Sequence, residues 1–409
     1  MDAAAGRQLL LWMIAGEESG DQLGAKVMRA LRARLPHTTV RFEGVGGRAM
    51  AGEGVRSLFP ISEINLMGIG AVLARLPALV RRVYQTVDAI VAAEPDALVI
   101  IDSPDFTHAV AARVRRRRPD LPIINYVSPS VWAWRPGRAR KMRAYVDHVL
   151  ALKPFEPEAH QRLGGPACTY VGHPLIEQVG QLRPRPGERR PLQPGSPVEL
   201  LVLPGSRRSE IARLMEPFGA ALGLLRERGA PPVSVTVPAV LHLAEEIEAR
   251  AGSWPVPARV VRGEAEKWVA FRGAQAALAA SGTVTLELAL SGVPMVVAYR
   301  VSKLEEQIKH FIKVPSIVLT NLILEENAVP ERVQWDCTPE KLAEALAPLL
   351  SEGPDRNAQT DAFARLDALM STGEETPSER AARVVHETIA RGREPNPERA
   401  PSPGGKGTG

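Results

Sequence analysis

Short apolar runs recur along the chain between segments of helix length. Leu, Ile, Val and Ala dominate these runs, which lack the regular polar alternation of a half-exposed strand. Such runs are typical of parallel strands that are buried on both faces. They predict strands at 9–15, 97–101, 123–127, 149–152, 200–203, 233–237, 276–280 and 295–299. Alternation of strands with helical segments predicts an α/β fold, in which crossover helices cover parallel sheets.

A proline-rich stretch interrupts this alternation. Residues 181–197 (QLRPRPGERRPLQPGSP) contain five prolines among glycines and arginines, which is typical of a linker or a long surface loop. We therefore predict a first domain at 1–180 and a second at 198–350. Residues 351–392 have helical periodicity and are expected to cross back onto the first domain. The Pro/Gly-rich tail at 393–409 is expected to be disordered.

Composition excludes several classes of protein. Among 409 residues, 51 Lys and Arg face 46 Asp and Glu, so the net charge is only +5 and the excess lies in short arginine bursts. No helix-turn-helix, zinc-finger or RNA-recognition signature supports a nucleic-acid partner. The two cysteines, Cys168 and Cys337, have no metal spacing and indicate a reducing compartment. No apolar stretch reaches the ~18 residues of a membrane span, so any membrane contact is expected to be peripheral.

A glycine loop follows the first predicted strand. It is expected to lie at the carboxyl edge of the sheet, where α/β proteins bind ligands. Its carboxylates make it a poor phosphate cradle, so hydrogen bonding to sugar hydroxyls is the functional interpretation. A tight turn capped by Ser19 or Asp21 explains it equally well. The candidate residues are Gly16, Glu17, Ser19, Gly20 and Asp21.

The segment 61–87 combines apolar bulk with arginines. An amphipathic helix of this kind can lie in a membrane interface or line a groove for acyl chains. An ordinary crossover helix packed on its sheet is the structural alternative. The candidate membrane or acyl contacts are Leu66, Met67, Ile69, Leu73 and Leu76.

Asp102 ends the buried strand at 97–101. A carboxylate at a strand end can act as the base that activates a sugar hydroxyl, although a hydrogen-bonded structural acid has the same pattern. Asp105 is expected to cap the helix that follows. In the next loop, YVSPSVWAWR, Ser128 and Trp132 are candidate acceptor contacts, at a surface that could stack on a sugar ring or lie at a lipid headgroup. Core packing of the tryptophans is the alternative.

Two loops of the second domain suit phosphate. Arg207 lies in LPGSRRSEI, where a strand leads into a helix, and a helix N-terminus with a guanidinium can hold a diphosphate. Ser281, Gly282 and Thr283 open a second helix in the same way. Glu287 lies one turn later, where it can accept ribose hydroxyls; a solvent-facing helix acid is the alternative.

These motifs resemble the lipid-A-disaccharide synthase family. GEESGD, VGGRAM, IDSPDF, YVSPSVWAWR, VGHP and LPGSR occur in the family's order, and the resemblance covers about residues 8–350. It implies a GT-B architecture, in which two Rossmann-like, doubly wound domains face a central cleft. By position it assigns Asp102 as the essential acid and Arg207, Ser281, Gly282, Thr283 and Glu287 as the UDP-binding set, with Asn321 and Gln334 near the donor.

The resemblance also implies the reaction. Family members move 2,3-diacylglucosamine from UDP to 2,3-diacylglucosamine 1-phosphate, with inversion, and form the β(1→6) lipid A disaccharide. The UDP-sugar is then a substrate, and neither a cofactor nor a metal is expected. The enzyme is expected in the cytoplasm, as a peripheral protein on the inner-membrane surface. The sequence does not determine whether the protein forms a homodimer.

Two other functions fit parts of the sequence. Another GT-B nucleotide-sugar enzyme, either an epimerase or a transferase with a soluble acceptor, fits the glycine loops but not the apolar segment and the tryptophans. A non-catalytic peripheral lipid-binding protein fits the apolar and basic features but not the two phosphate-suited loops.

Overall fold

The computed structural model describes residues 8–64, 69–301 and 315–392, with the backbone alone at 69–75. The chain forms two compact units. The first ends at Pro174 and resumes at Thr372, and the second is Leu175–Ser371. Leu66, Met67 and the tail at 393–409 lie outside the described residues, as do the side chains of Ile69 and Leu73.

The first unit is a parallel sheet with helices on both faces. Its elements are β1 (Gln8–Ala15), α1 (Glu18–Arg34), β2 (Thr39–Val45), α2 (Arg48–Gly52), α3 (Ile69–Ala93), β3 (Ala97–Ile101), α4 (Pro104–Arg117), β4 (Ile123–Tyr126), α5 (Gly137–Met142), β5 (His148–Ala151), α6 (Glu156–Arg162) and β6 (Ala167–Tyr170). The strand order is β2-β1-β3-β4-β5-β6.

Strand β1 shows why its sequence is apolar from Leu9 to Ala15. Leu11 and Met13 point into one hydrophobic cluster, whereas Trp12 and Ile14 point into another on the opposite face. Successive side chains of a strand alternate between faces, and helices cover both faces here, so the buried positions on both faces need apolar residues.

The second unit repeats this plan. Its elements are α7 (Val179–Leu182), β7 (Val198–Leu203), α8 (Arg208–Glu227), β8 (Val233–Ala239), α9 (Ala244–Ala251), β9 (Ala258–Arg262), α10 (Glu264–Gly273), β10 (Ala276–Ala280), α11 (Thr283–Leu290), β11 (Met295–Tyr299), α12 (Leu319–Leu324), β12 (Glu331–Val333), α13 (Pro339–Leu346), α14 (Pro354–Ala364) and α15 (Leu366–Leu369). The strand order is β12-β11-β10-β7-β8-β9, again parallel.

The proline-rich stretch at 181–197 belongs to the second unit. Arg189 donates hydrogen bonds to the carbonyl oxygens of Gly292 (2.8 Å), Ser291 (2.8 Å) and Phe271 (3.1 Å). The structure thus changes from one unit to the other after Pro174, before this stretch, because the arginines attach it to the second unit.

The last described helix, α16 (Pro377–Gly392), returns to the first unit. It packs along α1, and Val385 and Ile389 are buried in the hydrophobic cluster that also contains Leu11 and Met13. The predicted return of the C-terminal helices is therefore confirmed for α16. Among the described residues, no helix has the length and apolarity needed to cross a membrane.

Candidate active site

In the first sheet, the strand order reverses between β1 and β3. The chain moves outward from β1 to β2, then places β3 on the other side of β1 and continues away from it. Ala15 and Ile101 are paired at the carboxyl ends of these two strands. Open α/β sheets bind ligands at such a switch point. The glycine loop and Asp102 both follow these strand ends.

Gly16 allows the two loops to touch. A Cβ atom at Gly16 would lie 2.1 Å from Oγ and 2.2 Å from Cβ of Ser103, so no larger residue fits while Ser103 stays in place. This close approach holds the start of the glycine loop against the turn that carries Asp102.

Asp102 lies in a strained turn. Its φ is +52° and that of Ser103 is +44°, so two consecutive non-glycine residues are left-handed, at a cost of about 1–2 kcal/mol each. Asp102 Oδ1 accepts a hydrogen bond from the Ser103 amide (2.8 Å), and its carbonyl oxygen accepts one from Thr107 Oγ1 (2.7 Å). The side chain is partly exposed. A carboxylate fixed in this way can accept a proton from a bound hydroxyl.

The other residues of the glycine loop separate into two groups. Glu17 and Ser19 are exposed at the start of α1, whereas Gly20 is buried against Ile101. Asp21 is 3% exposed, and its carboxylate accepts hydrogen bonds from the amides of Gly47 (2.7 Å), Ala49 (2.8 Å) and Met50 (3.1 Å). Asp21 therefore caps α2 and fixes the neighbouring loop, whereas Glu17, Glu18 and Ser19 are accessible polar side chains.

Ser128 and Trp132 are hydrogen-bonded to buried side chains of the first unit. Ser128 is 4% exposed, and its hydroxyl lies 2.8 Å from Nε2 of the fully buried His160. Trp132 is half-buried and donates from Nε1 to Glu156 Oε1 at 3.2 Å. Glu156 is fully buried and also binds Lys153 Nζ at 2.9 Å. Ser128 thus has a partner inside the fold, and Trp132 is held in place by a carboxylate that the sequence pattern did not single out.

An apolar cavity lies between α3 and α4, beside Ser103. It has a volume of about 360 Å³ and is lined mainly by Leu76, Leu79, Val80, Val83 and Phe106. Asp105 lies at the same cavity. It does not cap α4 as expected, because the helix already begins at Pro104, and its exposed carboxylate pairs with Arg138 at 3.3 Å.

The second sheet has its own reversal of strand order, between β7 and β10. The loop that carries Arg207 follows β7, and Ser281 follows β10. The two phosphate-suited loops therefore start from neighbouring strand ends at the switch point of this sheet.

Arg207 precedes α8 as its N-cap residue. Oε2 of Glu210 accepts hydrogen bonds from the amides of Ser206 (3.0 Å) and Arg207 (3.2 Å), which folds the loop over the helix start. Gly205 has a φ of +112°, and a Cβ atom there would lie 2.4 Å from Glu210 Oε2. The Arg207 guanidinium is exposed and lies 3.2 Å from Glu210 Oε1.

The second loop presents Gly282 and Thr283 to solvent at the start of α11. Ser281 instead donates its hydroxyl to the carbonyl oxygen of Ile317 at 2.8 Å. Glu287 is not a plain solvent-facing acid, because its Oε2 lies 2.5 Å from Lys267 Nζ. The sequence does not point to Lys267, because this residue lies on α10 and no local pattern connects it to Glu287.

Asn321 and Gln334 have structural partners. Asn321 is 2% exposed; its amide group donates to the Val329 carbonyl (2.9 Å) and Glu331 Oε1 (2.9 Å) and accepts from the Val329 amide (2.9 Å). Gln334 Oε1 accepts from the Val301 amide at 2.6 Å. Asn321 therefore fixes the loop after α12.

Comparison with known proteins decides the family. The family profile "Lipid-A-disaccharide synthetase" matches residues 11–385. The lipid-A-disaccharide synthase of Nitrobacter hamburgensis is 57% identical over 393 residues, which cover 96% of this chain and 98% of that protein. That of Bradyrhizobium diazoefficiens is 56% identical, over 94% of this chain and 97% of that protein. The chain belongs to the lipid-A-disaccharide synthase family. It is therefore a glycosyltransferase, as the motifs imply.

Solved structures confirm the fold class of this lipid-A-disaccharide synthase family member. A UDP-N-acetylglucosamine 2-epimerase from Listeria monocytogenes, described as putative in its own report, aligns with a TM-score of 0.58 and 13% identity, over 94% of this chain and 96% of that one. The calicheamicin glycosyltransferase CalG4 aligns with a TM-score of 0.54 and 17% identity, over 95% and 99%. At these identities the likeness shows the GT-B fold alone.

Proposed function

We propose that this chain transfers 2,3-diacylglucosamine from UDP to the 6-hydroxyl of 2,3-diacylglucosamine 1-phosphate. The products are the β(1→6) disaccharide 1-phosphate and UDP. One observation carries the proposal: in each unit, the candidate residues follow the two strands between which the strand order of the sheet reverses. Family membership supplies the reaction class.

The second unit binds UDP in this proposal. Amide groups at the start of α11, beside Gly282 and Thr283, and the exposed Arg207 guanidinium face the diphosphate. The carboxylate of Glu287, oriented by Lys267 Nζ at 2.5 Å, accepts hydrogen bonds from the ribose hydroxyls. Ser281 acts through the backbone, since its hydroxyl is bonded to Ile317.

Asp102 is the base. The acceptor 6-oxygen attacks C1 of the donor sugar while its proton passes to the Asp102 carboxylate, and the C1–O bond breaks with its electron pair moving to the UDP diphosphate. A single displacement inverts C1. Preorganised donors such as Arg207 and the helix amides stabilise the leaving charge, at about 3 kcal/mol for a well-placed donor.

The first unit binds the acceptor in this proposal. Glu17 and Ser19 are exposed polar side chains of the loop that touches Ser103, and we propose that they contact the acceptor sugar. The apolar cavity between α3 and α4 is suited to an acyl chain, with Leu76 among its walls. We also propose that α3 brings the enzyme to the inner-membrane surface, where both acylated substrates reside.

A UDP-release assay with purified protein tests the transferase proposal. UDP should appear only when UDP-diacylglucosamine and diacylglucosamine 1-phosphate are both present, and a chelator should leave the rate unchanged. Conversion of the donor in the absence of acceptor, followed by chromatography, would instead indicate an epimerase.

A further inference from the structure

A second cavity lies on the other side of the α4 N-terminus from the apolar one. Its volume is about 590 Å³, and it is lined by residues of α4, of α5 and of the segments directly before and after α5. Arg135, Arg138 and Lys141 contribute three cationic side chains to its wall, whereas Asp105 contributes one carboxylate. The cavity therefore carries an excess of positive charge.

The arrangement of these cations leaves two of them for a ligand. Arg138 pairs with Asp105 at 3.3 Å. Arg135 and Lys141 are exposed, and Arg135 is presented from a left-handed backbone position (φ +52°) with its guanidinium 5.0 Å from the centre of the Trp134 ring. The amide end of α4 adds partial positive charge.

Two further polar residues of the cavity lining, His108 and Tyr145, carry no charge near neutral pH. His108 Nδ1 lies 3.1 Å from the hydroxyl of Tyr145. Burial, reinforced by the charge of Arg138, lowers the pKa of His108 to about 4, so the ring is uncharged near neutral pH. His108 and Tyr145 therefore offer uncharged hydrogen-bonding groups, and the attraction for an anion comes from Arg135 and Lys141.

The two cavities meet at the same helix start. Pro104, Asp105 and Ala109 line both of them, and Pro104 follows the turn of Asp102 and Ser103. A ligand placed across the first turns of α4 would have apolar walls on one side, cations on the other and the Asp102 turn beside it. That pattern fits an amphiphile that carries both an acyl chain and a phosphate monoester.

We propose that the cationic cavity is the subsite for the 1-phosphate of the acceptor, with Arg135 and Lys141 as its direct contacts. This inference rests on the proposed function, because that function supplies an acceptor with a phosphate at C1. It adds a basis for acceptor specificity: the same helix start separates the phosphate from the acyl chain and aligns the sugar between them.

The test is the double variant Arg135→Gln/Lys141→Gln. Loss of two charge-assisted hydrogen bonds to the phosphate should lower kcat/KM for the acceptor about 10²- to 10⁴-fold. KM for UDP-diacylglucosamine should stay unchanged. Arg140→Gln/Arg143→Gln is the matched control, since it also removes two positive charges, from exposed positions in α5 and directly after it, outside the cavity lining.

A second acceptor separates phosphate binding from a general charge effect. With 2,3-diacylglucosamine, which lacks the phosphate, kcat/KM of the wild type should fall to that of the double variant. The kcat/KM of the double variant should fall little further. If the double substitution lowered kcat/KM by the same factor with both acceptors, the proposal would be overturned. A loss that follows reduced binding to anionic vesicles and disappears in neutral detergent would also overturn it, because the cations would then bind membrane headgroups.

A binding measurement keeps this inference apart from the reaction itself. Glucosamine 1-phosphate should raise the melting temperature of the wild type, glucosamine should not, and the double variant should not respond to either. Absence of disaccharide from the wild type would refute the proposed function, whereas absence of protection by glucosamine 1-phosphate would refute the subsite.

Discussion

At the scale of single residues, the candidate base is held by its backbone more than by its side chain. Asp102 and Ser103 both adopt left-handed conformations, and the turn is closed by Thr107 and by the Tyr126 carbonyl oxygen, which accepts from the Asp102 amide at 3.1 Å. Strained non-glycine residues of this kind persist where surrounding structure fixes them, often at functional sites.

Asp102→Asn should therefore separate chemistry from structure. The asparagine carbonyl oxygen can still accept the Ser103 amide, so the fold should be kept, but it cannot take the acceptor proton. We expect kcat to fall by about 10²–10⁴-fold with an unchanged affinity for UDP. Asp120→Asn, at an exposed turn after α4, is the control. Near wild-type turnover in Asp102→Asn would show that another group is the base.

The sequence predicted which loops carry polar groups, but not which side chains are already bonded within the fold. Asp21, Ser128 and Asn321 resemble ligand contacts as isolated residues. Their partners Gly47, His160 and Val329 lie 8 to 32 positions away along the chain. Only folding brings such pairs together, so their structural roles cannot be deduced from local patterns.

At the scale of elements, the contact between the glycine loop and the Asp102 turn depends on Gly16. Gly16→Ala places a methyl group 2.1 Å from Ser103 Oγ and should displace the turn, lowering both activity and melting temperature. A clash of this kind costs about 1–3 kcal/mol. Gly52→Ala is the control, because a Cβ there has no neighbour within 4 Å.

A compensating variant makes this prediction specific. In Gly16→Ala/Ser103→Gly, the atoms at 2.1 and 2.2 Å are removed and the nearest remaining one, Ser103 Cα, lies at 3.6 Å. Activity and stability should then recover in part. A double variant no better than Gly16→Ala alone would mean that this contact does not hold the turn.

Helix α3 presents an apolar stripe to its surroundings. Leu76, Val80 and Tyr84 are 49%, 45% and 53% exposed, and their spacing of four places them on one helix face. Leu76→Ser/Val80→Ser should reduce co-sedimentation with phosphatidylglycerol vesicles about tenfold or more, at about 1 kcal/mol for each half-exposed side chain. Leu241→Ser, 74% exposed in the other unit, is the control. Equal partitioning of the wild type, the double variant and Leu241→Ser onto the vesicles would exclude α3 as the membrane contact.

The predicted strands also show what sequence patterns can find. All eight predicted apolar runs form strands within one to two residues of the expected bounds, because buried parallel strands need apolar side chains on both faces. The strands at 167–170, 258–262 and 331–333 were missed. They are edge strands with partly exposed side chains, so their sequences lack the continuous apolar signal.

At the scale of the whole molecule, the two units should differ in their response to acid. Burial lowers the pKa of His108 and His148 to about 4 and of His173 to about 3, helped by the charges of Arg138, Arg391 and Lys153 respectively. All three histidines lie in the first unit. In the unfolded chain each titrates near 6.5.

Between pH 6.5 and 4 the unfolded chain thus binds more protons than the folded one. The contribution of the neutral histidines to the free energy of unfolding is complete above about pH 6.5. It is lost as the pH falls, at about 1.4 kcal/mol per pH unit for each histidine. Urea unfolding at pH 7 and 5.5 should show this loss, and His148→Gln, whose amide can replace the bond to Thr169, should reduce it. Stability that is independent of pH in this window would contradict the buried neutral state of the histidines.

The reaction itself involves the whole chain, since the proposal gives UDP to one unit and the acceptor to the other. Its most direct test is the structure of the product formed by purified protein from UDP-diacylglucosamine and diacylglucosamine 1-phosphate. Mass spectrometry should show a tetraacylated disaccharide monophosphate in equal amount to UDP, and NMR should show a β(1→6) linkage. An α linkage, attachment at another hydroxyl, or no disaccharide at all would contradict the proposed reaction.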